Sequence, residues 1–235
     1  MYKPKSGPEM TKILHLETAT KNCSVALSEN GRPVDVLEEA SPGYSHAEKL
    51  HVFIDEILRR NRWKPADLDA VAVSEGPGSY TGLRIGVSAA KGLAYTLGIP
   101  MIAVPTLEVL ARRLKIDRGF IIPLIDARRM EVYTAVFDKN YHRQTPVEPH
   151  ILDETSFRDY LERDTCYFAG DAQEKTKQVV RHPRAVFTEY VYPSAAQMIE
   201  PAYEKYRRKD FVDTAYFEPF YLKEFIVTRK KKPLL

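Results

Sequence analysis

Cysteine is scarce in this 235-residue sequence, which contains only Cys23 and Cys166. They lie far apart and form no C-x-x-C motif, so neither a disulfide framework nor a cysteine zinc site is predicted. The six histidines are scattered as well. His46 and His51 are five positions apart, which on a straight helix turns their side chains roughly 140° away from each other. The pattern therefore predicts no metal site.

Long apolar runs are also missing. Stretches such as residues 70–73 and 121–125 are far shorter than the roughly 20 residues that a membrane-spanning helix needs. Residues 1–9 carry Lys3 and Lys5, but no apolar segment or cleavage site of a secretory signal follows them. We therefore expect a cytoplasmic protein that has no membrane partner and whose residues 1–9 are disordered or frayed.

The charge balance is close to neutral, with a net charge of +3. Dedicated nucleic-acid binders usually have a stronger basic bias. One concentrated basic run, residues 229–232, lies in the tail formed by residues 229–235. Two interpretations stay open for it: a solvated tail, or salt-sensitive contacts with nucleic-acid phosphates.

Apolar runs bracketed by turn signals predict regular elements in the first half of the chain. We expect three antiparallel strands at residues 12–17, 23–28 and 33–38, and two further strands at residues 68–74 and 101–104. Helices are expected between them at residues 46–60 and 81–97. Ser45 and Glu48 form a capping box at the first of these helices. Thr106 is predicted to cap a further helix with an apolar stripe at Leu107, Leu110, Ala111 and Leu114.

The same order begins again at residue 120. Strands are predicted at residues 120–126, 132–137 and 166–169, with a third possible strand after Tyr141, and helices near residues 156–162 and 173–181. A last helix has a capping box at Ser194 and Gln197, and Pro201 is expected to kink or divide it. The repetition predicts two related α/β domains with mixed sheets flanked by helices, residues 10–108 and 109–228, of which the second is reduced.

Between the predicted strand 68–74 and helix 81–97 lies a glycine-rich loop. Gly76 and Gly78 flank a proline, where positive φ and close backbone approach are easiest for glycine. Thr81 and the amides after it form a helix N-terminus that could hold an anion, and Arg84 could neutralise an acidic group or a phosphate. The alternatives are a tight turn with a packed helix, and a surface ion pair for Arg84.

The helix after this loop carries Gly82, Gly86, Ala90 and Ala94 at i, i+4 spacing. One of its faces is therefore nearly without side-chain bulk, so another backbone can approach closely there. Glycine lowers intrinsic helicity by up to about 1 kcal/mol relative to alanine. Packing against another element must therefore stabilise this helix.

Local sequence links these elements to a known family. The motifs are I-L-H-L-E-T-A-T, S-H-A-E-K-L, S-E-G-P-G-S-Y-T-G-L-R-I-G, D-A-R-R-M-E-V-Y and P-F-Y-L-K, at residues 13–20, 45–50, 74–86, 126–133 and 219–223. In order and spacing they resemble the TsaB (YeaZ) family, over most of the chain and densely in the first half. The resemblance implies the duplicated fold of the actin, Hsp70 and sugar-kinase superfamily.

The resemblance also implies a function. TsaB relatives are non-catalytic partners in the synthesis of threonylcarbamoyladenosine beside the tRNA anticodon: they form homodimers alone, pair with the catalytic subunit TsaD and are joined by the ATPase TsaE. The resemblance implies that tRNA is bound only through the complex, that a nucleotide could sit at the heteromeric interface, and that this chain has no cofactor of its own. The implied interface comprises Leu50, Phe53, Ile54, Ile57, Gly82, Gly86 and Ala90. The alternative is that these helix faces simply cover the sheet.

Two departures separate this chain from catalytic relatives. TsaD carries an H-x-x-x-H pair just after the strand that corresponds to residues 101–104, where this chain has P-T-L-E-V-L-A. Phosphate-transferring members of the superfamily have a D-x-G-x-T loop, where this chain has Glu17-Thr18-Ala19-Thr20. No catalytic residue is therefore assigned. The rival hypotheses are a glycoprotease-like hydrolase or diverged kinase that acts alone, and a stand-alone tRNA-binding module based on the basic tail.

Overall fold

The structure is a computed structural model that describes residues 10–40 and 46–222. Three sequence predictions lie outside the described residues: the disordered N-terminus at residues 1–9, the Ser45 cap, and the basic tail at residues 229–235. No helix in the described part of the chain is long and apolar enough to cross a membrane.

The first half forms a five-stranded sheet with the order β3-β2-β1-β4-β5. Its strands are β1 (Lys12–Glu17), β2 (Asn22–Glu29), β3 (Arg32–Ala40), β4 (Ala70–Ser74) and β5 (Met101–Val104). The first three strands are antiparallel neighbours, which confirms the predicted meander, and β4 and β5 extend the sheet in parallel from β1. Its helices are α1 (His46–Arg60), α2 (Tyr80–Leu97) and α3 (Thr106–Ala111), with a short 3₁₀ helix at Pro65–Asp67.

The second half builds a sheet with the path β11-β10-β6-β7-β9, and β8 pairs with β6 beside β7. Its strands are β6 (Phe120–Asp126), β7 (Glu131–Thr134), β8 (Phe137–Asp138), β9 (Glu148–Ile151), β10 (Cys166–Gly170) and β11 (Ala185–Phe187). Its helices are α4 (Arg158–Leu161), α5 (Gln173–Val179) and α6 (Ile199–Arg208), with a 3₁₀ helix at Ala195–Met198.

The two sheets have the same topology. In each one an antiparallel meander is extended by two parallel strands on the far side of its first strand. This repetition confirms the duplicated α/β fold with mixed sheets flanked by helices. The second copy is reduced, because α4 and α5 have 4 and 7 residues where α1 and α2 have 15 and 18.

Burial explains why β1 and β4 are almost continuously apolar. Both are central strands, and every residue of β4 and all but the first of β1 are buried. A strand that is covered on both faces loses the polar alternation of a half-exposed strand. The helices α1 and α2 cover one face of this sheet, and α6 with the 3₁₀ helix before it covers the other.

The last helix of each half packs against the opposite half. Leu107, Leu110 and Ala111 of α3 belong to the core of the second sheet. In return, Ile199 and Ala202 of α6 lie in the core on the first sheet. The domain boundary predicted near residue 108 falls inside α3; it stays a prediction.

Two helix starts differ from the sequence predictions. Thr106 does not cap α3: the N-cap is Pro105, and the Thr106 hydroxyl instead accepts a hydrogen bond from the Gly76 amide at 3.0 Å. Ser194 does cap a helix, but its hydroxyl bonds the Ala196 amide and begins a 3₁₀ helix rather than α6. Pro201 lies in the first turn of α6, where a missing amide hydrogen costs nothing, so it does not kink the helix.

Strand predictions in the second half were less accurate. The run predicted as one strand at residues 132–137 is divided into β7 and β8, and the third strand, β9, begins only at Glu148. The short strand β11 was not predicted. It pairs at the sheet edge with β10, and its three residues are too few to show a period.

Candidate functional site

A cleft of about 880 Å³ opens where the carboxyl ends of the two sheets face each other. Turns and loops from both halves line it, including the β1–β2 turn, the loop before α2, the β6–β7 turn and the chain before and after α6. Its lining residues are Ala19–Lys21, Pro77–Thr81, Ile125–Arg129, Glu131, Tyr133, Asp171, Val191, Tyr192 and Phe220–Leu222. The cleft therefore unites motifs that are far apart in the sequence.

The glycine-rich loop reaches this cleft only in part. Ser79 caps α2: its hydroxyl accepts a hydrogen bond from the Gly82 amide, and its own amide donates to the Ala19 carbonyl at 2.7 Å. Gly78 and Thr81 line the cleft, and a Cβ on Gly78 would come within 2.4 Å of the Ala19 carbonyl oxygen. Gly76 has a φ of 114° and is turned toward Thr106 instead.

Arg84 makes local contacts at the start of α2. Its guanidinium lies 4.9 Å from the centre of the Tyr80 ring, and the Tyr80 and Tyr221 rings are 4.9 Å apart. Burial raises the pKa of Tyr221, and the positive charge of Arg84 opposes that shift. Of the four residues in the predicted anion site, the structure brings Gly78 and Thr81 to the cleft, and gives Arg84 aromatic partners.

The small-residue face of α2 is internal. A Cβ on Gly82 would lie 2.1 Å from the Thr18 carbonyl oxygen, and one on Gly86 would lie 2.3 Å from the Thr18 hydroxyl oxygen. That hydroxyl donates to the Gly82 carbonyl at 2.7 Å, and Ala90 is fully buried. The close approach expected from the sequence is therefore real, but the approaching backbone is the β1–β2 turn of the same chain.

The apolar residues assigned to the interface on α1 also need correction. Leu50 and Ile57 have no exposed surface and Ile54 has 6%, because all three pack against the first sheet. Phe53 is half-buried at the edge of the same core. An amphipathic helix turns its apolar stripe toward the sheet that it covers, so this stripe is not the docking surface.

Glu17 ends β1 beneath α2 and is fully buried. Its Oε1 accepts hydrogen bonds from the Ala19 amide at 2.7 Å and the Ser74 hydroxyl at 3.0 Å, whereas Oε2 has no partner among the described residues. Burial raises the pKa of Glu17 to about 7, and these hydrogen bonds oppose the shift. The carboxyl group stabilises a closed turn, and it does not line the cleft.

The β6–β7 turn is built differently. Arg128 and Arg129 have φ values of 72° and 50°, in the left-handed region that few residues other than glycine adopt. The Asp126 carboxylate accepts from the Arg128 amide at 2.9 Å and pairs with Lys175. Lys175 also donates to the carbonyls of Arg129 at 2.9 Å and Glu131 at 2.5 Å. A single ammonium group from α5 thus holds the whole turn.

A second carboxylate supports this turn from beneath. Asp171 accepts a hydrogen bond from the Asp126 amide at 2.8 Å. Burial raises the pKa of Asp171 to about 6; the negative charge of Asp126 adds to the shift, and Lys21 and Lys175 oppose it. Sequence reasoning recognised the D-A-R motif but missed Lys21, Asp171 and Lys175, because no local pattern connects residues so far apart in the chain.

Two buried histidines have structural roles. His15 is fully buried and bonds the Ser28 hydroxyl at 2.8 Å, and burial lowers its pKa to about 3. His46 donates from Nε2 to the Thr20 carbonyl at 2.6 Å and so ties α1 to the β1–β2 turn. Within residues 10–40 and 46–222, no three His, Cys, Asp or Glu side chains cluster as metal ligands.

Comparison with known proteins agrees with the motifs. The family model described as tRNA N6-adenosine threonylcarbamoyltransferase, TsaD, matches residues 39–212. The tRNA threonylcarbamoyladenosine biosynthesis protein TsaB of Escherichia coli is 30% identical over 93% of this chain and 97% of its own length. Its counterpart in Haemophilus influenzae is 28% identical over 94% of this chain and 97% of its own length.

A solved structure shows the same architecture. YeaZ from Pseudomonas aeruginosa matches with a TM-score of 0.78 and 27% identity, covering 91% of this chain and 100% of that one. Motifs, duplicated topology and relatives of matching length all agree. The chain belongs to the TsaB (YeaZ) family of tRNA threonylcarbamoyladenosine biosynthesis proteins.

Proposed function

We propose that this chain is a non-catalytic partner subunit that binds and activates the catalytic subunit TsaD in the cytoplasm. TsaE joins the pair, tRNA is engaged through the complex, and the isolated chain forms a homodimer. The proposal rests chiefly on one observation: the outer faces of α1 and α2 carry exposed apolar and small residues, opposite the faces that cover the sheet.

These outer faces have the composition of a docking surface. Val52 on α1 is 57% exposed and Tyr95 on α2 is 85% exposed. Between the ends of α2, Ser88 is exposed and a Cβ on Gly92 would meet nothing within 4 Å. Aromatic residues are enriched at protein interfaces, and small residues allow a partner helix to approach closely. We call the surface formed by Val52, Ser88, Gly92 and Tyr95 the outer helix face.

A structural role for α3 supports the non-catalytic part of the proposal. The resemblance places the metal-binding histidines of TsaD on the helix after β5, which here is α3. Leu107, Leu110 and Ala111 are fully buried in the second core, and Val109 is fully buried in the first. Helix α3 lies between the two sheets, and these four side chains pack into the cores on either side.

The test is light scattering during size-exclusion chromatography, with this chain alone and with TsaD from the same organism, followed by a tRNA-modification assay. The proposal predicts a heteromeric complex that modifies tRNA, and no modification by this chain alone. Turnover by the isolated chain would instead support the hydrolase or kinase hypothesis. Absence of any association would contradict the partner role.

A variant tests the surface itself. Val52→Glu should weaken pairing at least about tenfold, because it places an unpaired charge in an apolar interface. Its matched control is Val186→Glu, since Val186 is a 40% exposed valine on β11 in the other half. Equal pairing by both variants would exclude α1 from the interface. Thermal unfolding should be nearly unchanged for both, because both side chains already face solvent.

A further inference from the structure

The outer surfaces of α1 and α2 carry charges of opposite sign. On α1 the acidic residues Glu48 and Asp55 are exposed and lie seven positions apart, which is about two turns of a helix. On α2 the charged residues are Arg84 and Lys91, with the same spacing, and the helix contains no acidic residue. We call the first pair the acidic ridge of α1 and the second pair the basic ridge of α2.

These charges are not neutralised within the described chain. None of the four ridge residues forms an ion pair with a described residue, whereas Arg60 elsewhere on α1 lies 3.8 Å from Glu56. Lys91 donates a hydrogen bond to the uncharged carbonyl of Ala215 at 3.1 Å, and the Arg84 guanidinium lies over an aromatic ring. Both ridges can therefore form ion pairs with another molecule.

The β1–β2 turn fixes the heights of the two helices relative to each other. Helix α1 begins at His46, whose Nε2 lies 2.6 Å from the Thr20 carbonyl oxygen, and α2 passes the Thr18 carbonyl at Gly82. Both helices start at this turn and cover the same face of the first sheet, so they run side by side in one direction. Each rises about 1.5 Å per residue, so residues that follow His46 and Gly82 by equal numbers of positions lie at similar heights.

The two ridges match at these heights. Glu48 follows His46 by two positions, and Arg84 follows Gly82 by two positions. Asp55 and Lys91 each follow the same reference residues by nine positions. Each carboxylate of the acidic ridge therefore has a cation of the basic ridge at its own height on the neighbouring helix.

We propose that a second copy of this chain binds the outer helix face, related to the first by a two-fold axis that runs parallel to the helices. Such an axis places α1 of each copy on α2 of the other at equal height. Asp55 then meets Lys91 of the second copy, Glu48 meets Arg84 of the second copy, and both pairs occur twice. The inference rests on the proposed function only in using this face for pairing.

Two further positions agree with this arrangement. Val52 meets Ser88, which is small enough to leave room for the valine, and Arg59 meets the ring of Tyr95, which is 85% exposed. An arginine over a tyrosine ring is a favourable contact. An axis at right angles to the helices would instead place α2 on α2 and bring two basic ridges together. Repulsion between like charges disfavours that alternative.

Charge reversal tests the register. Asp55→Lys and Lys91→Glu should each weaken self-association at least about tenfold in about 50 mM salt, because each places like charges together twice in a symmetric dimer. An equimolar mixture of the two variants should pair within about threefold of the native affinity. In the mixed dimer one contact keeps the native charges and the other has both charges reversed. Sedimentation equilibrium measures all three affinities.

A second pair of variants separates the register from a local effect. Lys91→Glu also removes the hydrogen bond to Ala215, so the test is repeated with Glu48→Lys and Arg84→Glu, which leave that bond in place. Thermal unfolding establishes that each variant is folded. Mixtures of folded variants that associate no more tightly than the separate variants overturn the proposal.

The matched control reverses two exposed charges in the other half, with Lys139→Glu and Glu154→Lys. These variants should change self-association less than about twofold, alone or mixed, because they lie away from both ridges. An equal loss in the control would show a general effect of charge and would overturn the register.

The outcomes also separate this inference from the proposed function. If Val52→Glu prevents pairing but the ridge variants do not, the outer helix face is the pairing surface and only the register is wrong. If the native chain does not self-associate while it still binds TsaD, the second copy is excluded and the partner role remains.

Discussion

The β1–β2 and β6–β7 turns occupy equivalent positions in the two copies of the fold. Each follows the first strand of its sheet and begins with a carboxylate that accepts the amide two positions ahead. The distances are 2.7 Å from the Ala19 amide to Glu17 and 2.9 Å from the Arg128 amide to Asp126. The same hydrogen bond from a backbone amide to a carboxylate therefore closes the turn in both halves, although the residues around it differ.

What differs is the helix that covers each turn. The 18-residue α2 lies directly on the first turn through Gly82 and Gly86, so Thr18 and Glu17 are completely buried. The 7-residue α5 reaches the second turn with Lys175 alone and leaves the arginines exposed. The comparison teaches that one topology gives a sealed turn or an open, charged one, depending on which side chains the covering helix presents.

The largest expected effect comes from disrupting the contact between α2 and the β1–β2 turn. Gly82→Ala should lower the free energy of unfolding by about 3 kcal/mol or more, because the new Cβ would overlap a backbone carbonyl that cannot move independently of β1. Urea denaturation measures this difference. In the same helix, Gly92→Ala meets no atoms and should stabilise the protein by up to about 1 kcal/mol.

These two changes are chemically identical, so helix propensity cannot account for opposite signs. If Gly82→Ala were also neutral or stabilising, the helix would not lie on the turn as closely as described. The sealed character of the first turn would then have to be abandoned.

A middle-sized effect should appear in the pH dependence of stability, through Glu17 in the sealed turn. The pKa of Glu17 is raised from 4.5 to about 7 by burial, so between those values the folded chain holds a proton that the unfolded chain releases. The charged form is therefore penalised in the folded state, and the stability of the native protein falls as pH rises through this window. Glu17→Gln removes that penalty.

The variant should accordingly gain stability relative to the native protein between about pH 5 and 8, by on the order of 1–3 kcal/mol. The measurement is urea denaturation of both proteins across this range. His15, whose pKa is lowered to about 3, titrates identically in both and cancels from the difference. Parallel pH profiles would mean that Glu17 is ionised and solvated.

The smallest effect concerns the open turn. Arg128→Gly should raise the free energy of unfolding by no more than about 1 kcal/mol. Glycine adopts positive φ without strain, but it also increases the conformational entropy of the unfolded chain, which offsets part of the gain. Thermal unfolding of the variant and the native protein measures this difference. A loss of stability larger than about 1 kcal/mol would show that the Arg128 side chain supports the fold, because the freer unfolded chain of a glycine variant accounts for no more than that.

Sequence patterns predicted most of the first half because its elements are long and regularly periodic. Helix α1 has the bounds expected from its apolar spacing, and β5 matches its apolar run. In the second half, β11 has three residues and α4 has four, which is too short for a period to emerge. Pairing with neighbouring strands and contact with the core define such elements, and no single segment encodes those partners.

The candidate site was less predictable than the fold. Periodicity indicated that Gly82 and Gly86 share a face without bulk, but it could not tell whether another chain or Thr18 lies against it. Likewise, Lys175 lies on a short helix remote from Asp126 in the chain, and only the folded sheet brings them together. Distances along the chain carry no information about such pairs.

Helices α3 and α6 are exchanged between the two copies of the fold, because each packs against the sheet of the other half. Each half completes its core with a helix that the other half supplies, through Leu107 and Leu110 in one direction and Ile199 and Ala202 in the other. A fragment ending between the halves would leave one sheet face bare of its helix. We therefore expect the two halves to unfold together in a single cooperative transition.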